Sequence, residues 1–206
     1  MATSWDQTHV RFGNDDGNES GRTWLWAANA GGNLNLTADK QIRVRVGVKQ
    51  TGTTAAGFTG FLRYNRNAGG WTQVNASSSY ARSAASPYLA DGAAMVSQLL
   101  TSGTYRSGIF DEVDGAAGTA TSTAQNEVTE DEFCVNLRSA ELLNADTISF
   151  QVYRTSSLAC QAYSSGTVTI TIAKTYAGSG SPSASKGTAN AAGSFGSRRR
   201  RCLISV

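Results

Sequence analysis

Histidine, proline, methionine and cysteine are scarce in this 206-residue chain: one His, two Pro, two Met and three Cys. Each shortage excludes something. The single histidine, His9, has no serine or cysteine motif beside it, so it supplies neither a triad base nor part of a zinc ligand set. No Cys-x-x-Cys pair is present, which removes the usual zinc-site signal. Cys134, Cys160 and Cys202 cannot all pair within one chain. Cys134 and Cys160 could bridge, but buried free thiols made in a reducing cytosol are the expectation. No apolar run approaches the roughly 20 residues that a membrane helix needs. The start, Met1-Ala-Thr-Ser-Trp-Asp6, lacks the basic segment and apolar core of a secretory signal. No glycine-rich loop follows a strand and opens a helix, so a nucleotide-phosphate cradle is not expected.

Charge is also sparse, at 16% Asp, Glu, Lys and Arg, and the net value of +3 is unevenly placed. Arg198 to Arg201 contribute four positive charges. Without them, 14 basic residues face 15 acidic ones, so the remainder is not built as a polyanion-binding surface.

Glycine is plentiful, at 22 residues, and the apolar residues come in short alternating runs. The clearest is Ile42-Arg-Val-Arg-Val-Gly-Val-Lys-Gln50. It puts Ile42, Val44, Val46 and Val48 on one face and Arg43, Arg45 and Lys49 on the other, a period of two that predicts a half-buried strand. Phe58 to Arg66 and a strand opening at Trp71 follow, and the three together read as an antiparallel meander. Further strands are expected at Thr8–Phe12, Thr23–Ala28, Ser78–Arg82, Gly103–Phe110, Glu130–Arg138, Asp146–Arg154 and Gly166–Thr175. Ala93–Leu100 reads as strand or helix, Ser139–Asn144 as one helical turn, and 111–126 as a long surface loop. The pattern predicts an all-β fold: a two-sheet antiparallel β-sandwich, jelly-roll or immunoglobulin-like, over residues 1–176. Residues 177–206 are Gly, Ser and Ala-rich and cannot bury a core. They read as an extended arm with a basic and apolar end.

Four groups of residues invite a chemical reading. The oxygen-rich loops Asn14–Glu19 and Asp111–Gly115 lack calcium-loop spacing and read as turns. Glu130, Asp131 and Glu132 are closely spaced carboxylates. In a strand, Glu130 and Glu132 point one way and Asp131 the other, which suits a solvent face or edge better than glycoside hydrolysis. Trp24, Trp26, Trp71, Tyr64 and Tyr80 could form a sugar platform. Core packing is the simpler use, with Trp24 and Trp26 on one face of their strand. In the arm, Arg198, Arg199, Arg200 and Arg201 precede Leu203, Ile204 and Val206. Forked guanidinium contacts to acidic groups beside a groove, filled by the apolar tip, are the expected chemistry.

Several segments resemble a β-rich module of tailed-phage virion structural proteins. They are Arg11-Phe12, Asn14 to Glu19, Thr23-Trp24, Ile42 to Arg45, Leu62 to Asn65, Gly70-Trp71, Leu89 to Gly92, Gly103 to Tyr105, Glu132 to Cys134, Ala145 to Ile148 and Val168 to Ile172. They span Val10 to Ile172 and omit the arm. The resemblance implies a virion structural role, with assembly in the host cytoplasm, and no catalytic residues; no cofactor and no metal are expected from the motifs above. A capsid decoration or cement protein is the expectation. Its partners would be the major capsid protein or other virion subunits and further copies of itself, not membrane or nucleic acid. The alternatives are a tail, collar or fibre component, or a carbohydrate-binding module for host attachment.

Overall fold

The structure is a computed structural model that describes residues 3–115, 123–154, 160, 162–163 and 167–175. The arm and its candidate residues Arg198 to Val206, with Cys202, lie outside the described residues, as do 116–122 of the long loop.

The described residues form an all-β fold of two sheets, with no helix among them. Sheet A holds β1 (Trp5–Asn14), β3 (Lys40–Gln50), β6 (Ala81–Ser83), β7 (Ala94–Met95), β8 (Tyr105–Arg106), β9 (Gly108–Asp111), β10 (Val128–Leu137) and β12 (Ala162–Tyr163). Its spatial order is β12-β1-β3-β10-β9-β7, with β6 and β8 also paired to β10. Sheet B holds β2 (Gly32–Asn35), β4 (Phe61–Arg66), β5 (Trp71–Gln73), β11 (Thr147–Tyr153) and β13 (Thr169–Ala173), in the order β2-β13-β11-β4-β5. The long pairings are antiparallel. Short parallel ones join β12 to β1, β8 and β9 to β10, and β2 to β13, so both sheets are mixed.

The hydrophobic core lies between the sheets. Val10, Phe12, Val44, Val46, Phe133 and Val135 of sheet A meet Leu62, Tyr64, Ile148, Phe150, Ile170 and Ile172 of sheet B. Phe12 and Phe150 stand 5.9 Å apart across the interface. A register slip between Gln7 and His9 swings Gln7 inward, where its Oε1 accepts from Val152 N at 2.8 Å. One amide thus stitches the two sheets, because a bulge re-aims a side chain that simple alternation would leave outside.

Three expectations change. The stretch from Ile42 to Val74 is not a meander: β3 belongs to sheet A, whereas β4 and β5 form a hairpin in sheet B. That hairpin turns through Asn67 and Ala68, both at positive φ, and Asn67 is held by side-chain bonds to Asp146 and Thr147. The Thr23–Ala28 strand is absent, apart from a bridge between Trp24 and Gly13. Nor is β3 half-buried. Ile42 to Val48 is buried on both faces, with Arg43 and Arg45 at 0% exposure.

Val46 lies in the core between Val10 on β1 and Asp131 on β10. Val46→Asp would set a second carboxylate beside Asp131 with no cation to meet it. The variant is expected to yield no cooperatively melting protein. A soluble variant that melts normally in circular dichroism would refute the placement of this strand.

Candidate functional site

The outer side of sheet A carries the densest polar chemistry in the described residues. The register sets Glu132 opposite Arg45, Glu130 opposite Gly47 and Cys134 opposite Arg43, all on one face. The charged residues at alternate positions of β3 are basic and those of β10 acidic, so the strands pair with complementary charge. The loop after β1 brings Asp15, Glu19 and Arg22 over this face, and residues 86–101 close it from the other side.

Every carboxylate in the cluster is heavily used. Glu130 accepts from Arg45 Nε at 2.7 Å, from the backbone N–H groups of Leu99, Leu100 and Thr101 at 3.0, 2.7 and 2.7 Å, and from the Thr101 hydroxyl. Glu132 meets Arg22, Arg43 and Arg45 at 2.7, 3.3 and 3.1 Å. Glu19 binds Arg45 and accepts from the N–H groups of Val96 and Ser97. Asp15 binds Arg43 and Ser86. Burial alone would raise the Glu130 carboxyl, but Arg45 and the three N–H donors outweigh it and hold it below its ordinary value. Burial lowers the Arg22 guanidinium to about 10, only partly opposed by Glu132. For Arg45 burial is overcome by Glu132 and Glu130, and its proton is held more tightly than usual. Gly47 makes room for this packing, since a Cβ there would sit 2.5 Å from the Thr101 methyl.

The arrangement binds the chain to itself. Glu130 and Glu132 are buried beneath loops, which corrects their assignment to a solvent face or edge. The Asn14–Glu19 loop is a turn, as expected, but its Asp15 and Glu19 serve guanidinium groups and its Asp16 caps Thr23 N at 2.8 Å. Gly17 is not at positive φ. It is needed because a Cβ would lie 2.8 Å from the backbone of Gly21. In the second loop Gly115 does adopt positive φ, at 69°. No grouping of three or more metal-ligating side chains suited to a metal ion occurs among the described residues. Cys134 and Cys160 are free and buried, each thiol pushed up to about 12 by burial. Among the described residues, the His9 ring bonds to the Thr8 hydroxyl, at 3.0 Å.

The five aromatics separate. Tyr64 is in the core, and Tyr80 and Trp26 pack against it. Trp24 does not share Trp26's side: it lies between the guanidinium groups of Arg11 and Arg22, at 4.2 and 4.1 Å. Trp71 faces outward. Its cross-strand partner is Asn65, and the neighbouring Tyr64, paired with Thr72, is the one that turns into the core. The same alternation places Phe61, Arg63, Gln73, Ser149, Gln151, Tyr153, Thr169 and Thr171 on the outer face of sheet B. The Trp71 and Tyr153 rings approach to 6.3 Å, and the Arg63 guanidinium stacks on Tyr153 at 4.5 Å. This face was not singled out in the sequence beyond Trp71. The alternation of aromatic and amide residues in Phe61–Asn65 and Ser149–Tyr153 was the available signal.

Asp131 turns to the core side and is a different case from its neighbours. Its Oδ1 accepts from Ile109 N at 3.0 Å, while its buried Oδ2 has no hydrogen-bond partner. Burial raises its carboxyl to about 7.

Two predictions follow from these carboxylates. Glu130→Gln leaves Arg45 buried with a weakened partner set and should cost about 3–5 kcal/mol at neutral pH in urea unfolding. Glu127→Gln, at the exposed pair with Arg106, should change little. Because Glu130 is depressed in the fold, its contribution is present above the ordinary Glu range and fades as pH falls through the folded value. Asp131 has the opposite sign. Its raised value means stability is greatest below the ordinary Asp range and declines as pH climbs towards about 7. Asp131→Asn should remove that decline and add stability on the order of 2–4 kcal/mol above it. Unchanged pH dependence of melting would refute the burial of a protonated carboxyl here.

Compared with protein-family models, curated proteins and solved structures, the chain matches none.

Proposed function

We propose that the chain is a non-enzymatic structural protein of a tailed-phage virion, a capsid decoration or cement protein whose body sits on or between capsid subunits. The observation that carries this reading is where the motif residues lie. Several of those behind the resemblance take part in the fold's polar fastenings. Asp15, Glu19, Arg43, Arg45 and Glu132 form the buried cluster. Asp146 holds Arg66 through two bonds of 2.9 and 3.0 Å and Asn67 through one of 2.7 Å. Asp91 caps Glu112 N, and the Tyr105 hydroxyl donates to Met95 O at 2.6 Å. Motifs spent this way favour a durable scaffold over a reactive centre. Carboxylates saturated by donors and shielded from water are poor general acids or bases, which need reach to a substrate proton.

In this reading residues 177–206 are an assembly arm. As a Gly/Ser-type coil, 177–197 spans roughly 25 Å, enough to bridge to a neighbour. Arg198 to Arg201 pair with carboxylates on that subunit, while Leu203, Ile204 and Val206 fill a groove or add to a sheet edge.

Density from intact particles of the encoding phage is expected to contain the body on the capsid shell, and absence from purified particles would overturn the assignment. Removing 177–206 should leave a folded body that no longer stays on the particle. Changing Arg198 to Arg201 to Ser should weaken attachment in a salt-sensitive way, equally for full and DNA-emptied particles. Undiminished attachment of the shortened protein would end the arm hypothesis.

A further inference from the structure

The outer face of sheet B has the composition of a recognition surface for an uncharged, hydroxyl-rich ligand. Its side chains run in rows set by the register: Trp71, Asn65, Ser149 and Thr169 in one, Gln73, Arg63 and Gln151 in the next, then Phe61 with Tyr153. Arg63 is the one formal charge in these rows. A merely solvated sheet face in a chain with 33 charged side chains would ordinarily take lysine and glutamate at such positions. Here the positions hold amides, hydroxyls and aromatic rings.

Two observations point to a ligand. The first is Gln151. It sits on the central strand of the sheet at 8% exposure, and its amide has no hydrogen-bond partner among the described residues. An amide carries both donors and acceptors, and these are left to solvent or to a ligand that reaches the face. The second is the aromatic pair beside it. Trp71 is partly exposed and Tyr153 is 9% exposed, with rings 6.3 Å apart and tilted by 54°. Their amphipathic faces lie next to amide groups that can supply orientation.

We infer that this face binds a neutral oligosaccharide, with a pyranose ring stacked on Trp71 and its hydroxyls bonded by the amides of Gln151 and Asn65. A hydroxyl both donates and accepts, so it satisfies an amide as water does. The non-polar C–H face of a pyranose suits an indole. A polyanion is disfavoured, because a single guanidinium already stacked on Tyr153 gives little counter-charge. The inference is independent of the particle role: a decoration protein that holds a surface glycan performs both tasks.

The full-length chain should be titrated with malto-, cello-, manno- and chito-hexaose at millimolar concentration. Two-dimensional NMR would follow the Trp71 indole N–H and the Gln151 side-chain amide. Saturable shifts of both signals with at least one oligomer are expected. Affinity should fall at least tenfold in Trp71→Ala and in Gln151→Ala, each checked for an unchanged melting temperature, and be kept in Trp24→Ala, whose ring lies between Arg11 and Arg22. Absence of shifts with all four oligomers overturns the inference. So does binding that persists in Trp71→Ala, or a dimer in solution that Trp71→Ala dissolves, since the face would then belong to a second copy.

Discussion

Three guanidinium groups buried against four carboxylates on one side of sheet A are the constraint on which the rest of the body depends. Loops 15–22 and 86–101 contain little that could fold alone. Their apolar contribution on this side is Leu89, Ala93 and Met95, which pack with Ala84, Phe110 and Cys134. What brings the loops down is charge. Arg43 reaches Gly17 O and Ser86, Arg45 reaches Ser97 O and Met95 Sδ, and Glu130 gathers three consecutive N–H groups. Burying ions is expensive, and the attraction between them repays the loss of water only where nearly every donor and acceptor is matched. The cluster meets that condition at Arg43 and Arg45 with backbone groups as well as side chains, and falls short at Arg22, whose buried Nε has no hydrogen-bond partner and whose Nη2 meets Glu132 as an ion pair alone. It therefore fixes geometry more than it adds net stability: a loop displaced by one residue would strand a charge.

The same constraint sets the register of the two longest strands. On the core side, Val44 opposite Phe133 and Val46 opposite Asp131 would tolerate some repacking. On the outer side, a slip of one residue would face Arg43 and Arg45 with Phe133 and Val135. Both faces of β3 and β10 thus vote for one pairing, the apolar face through volume and the polar face through charge. A sheet specified twice resists slippage better than one with a solvated side.

Strand positions and the all-β class were legible because β-branched alternation is a local signal. Ile42–Val48, Ile148–Val152 and Val168–Ile172 all lie where periodicity put them. What failed was non-local. The alternation of Arg43 and Arg45 says only that they leave the hydrophobic face; it cannot say that loops 15–22 and 86–101 will cover them. The complementary spacing of Arg43 with Arg45 and of Glu130 with Glu132 was visible, and pairing the two segments would have exposed the cluster. The separation of β3 from β4 was hidden by the intervening Thr51–Gly60, whose length suits a hairpin loop as well as a crossing between sheets. β2 was not expected because a four-residue parallel edge strand with two asparagines carries almost no propensity signal. The outer face of sheet B escaped for another reason: its members come from β4, β5, β11 and β13, and the partial alternations in Phe61–Asn65 and Ser149–Tyr153 join into one surface only when the strands pair.

The two outer faces show how a chain poor in charge divides its polar groups. On sheet A the charges are turned inward and consumed, so that face is structural despite having the residue types of an acid–base site. On sheet B the polar groups, Arg63 apart, are uncharged and only partly consumed: Ser149 bonds to Thr169 at 2.9 Å and Gln73 to Asp114 O at 3.3 Å, while the Gln151 amide is left over. Saturation, more than residue type, separates scaffold from surface in this protein. Glu130 has the chemistry of a general base and is spent on five donors. Gln151 has no reactive chemistry, yet its donors and acceptors remain to be met. A scaffold whose ionic groups are internally neutralised presents a weak long-range field. Under the proposed reading, recognition at the body would rest on short-range hydrogen bonding and ring stacking, and any electrostatic grip would fall to Arg198 to Arg201.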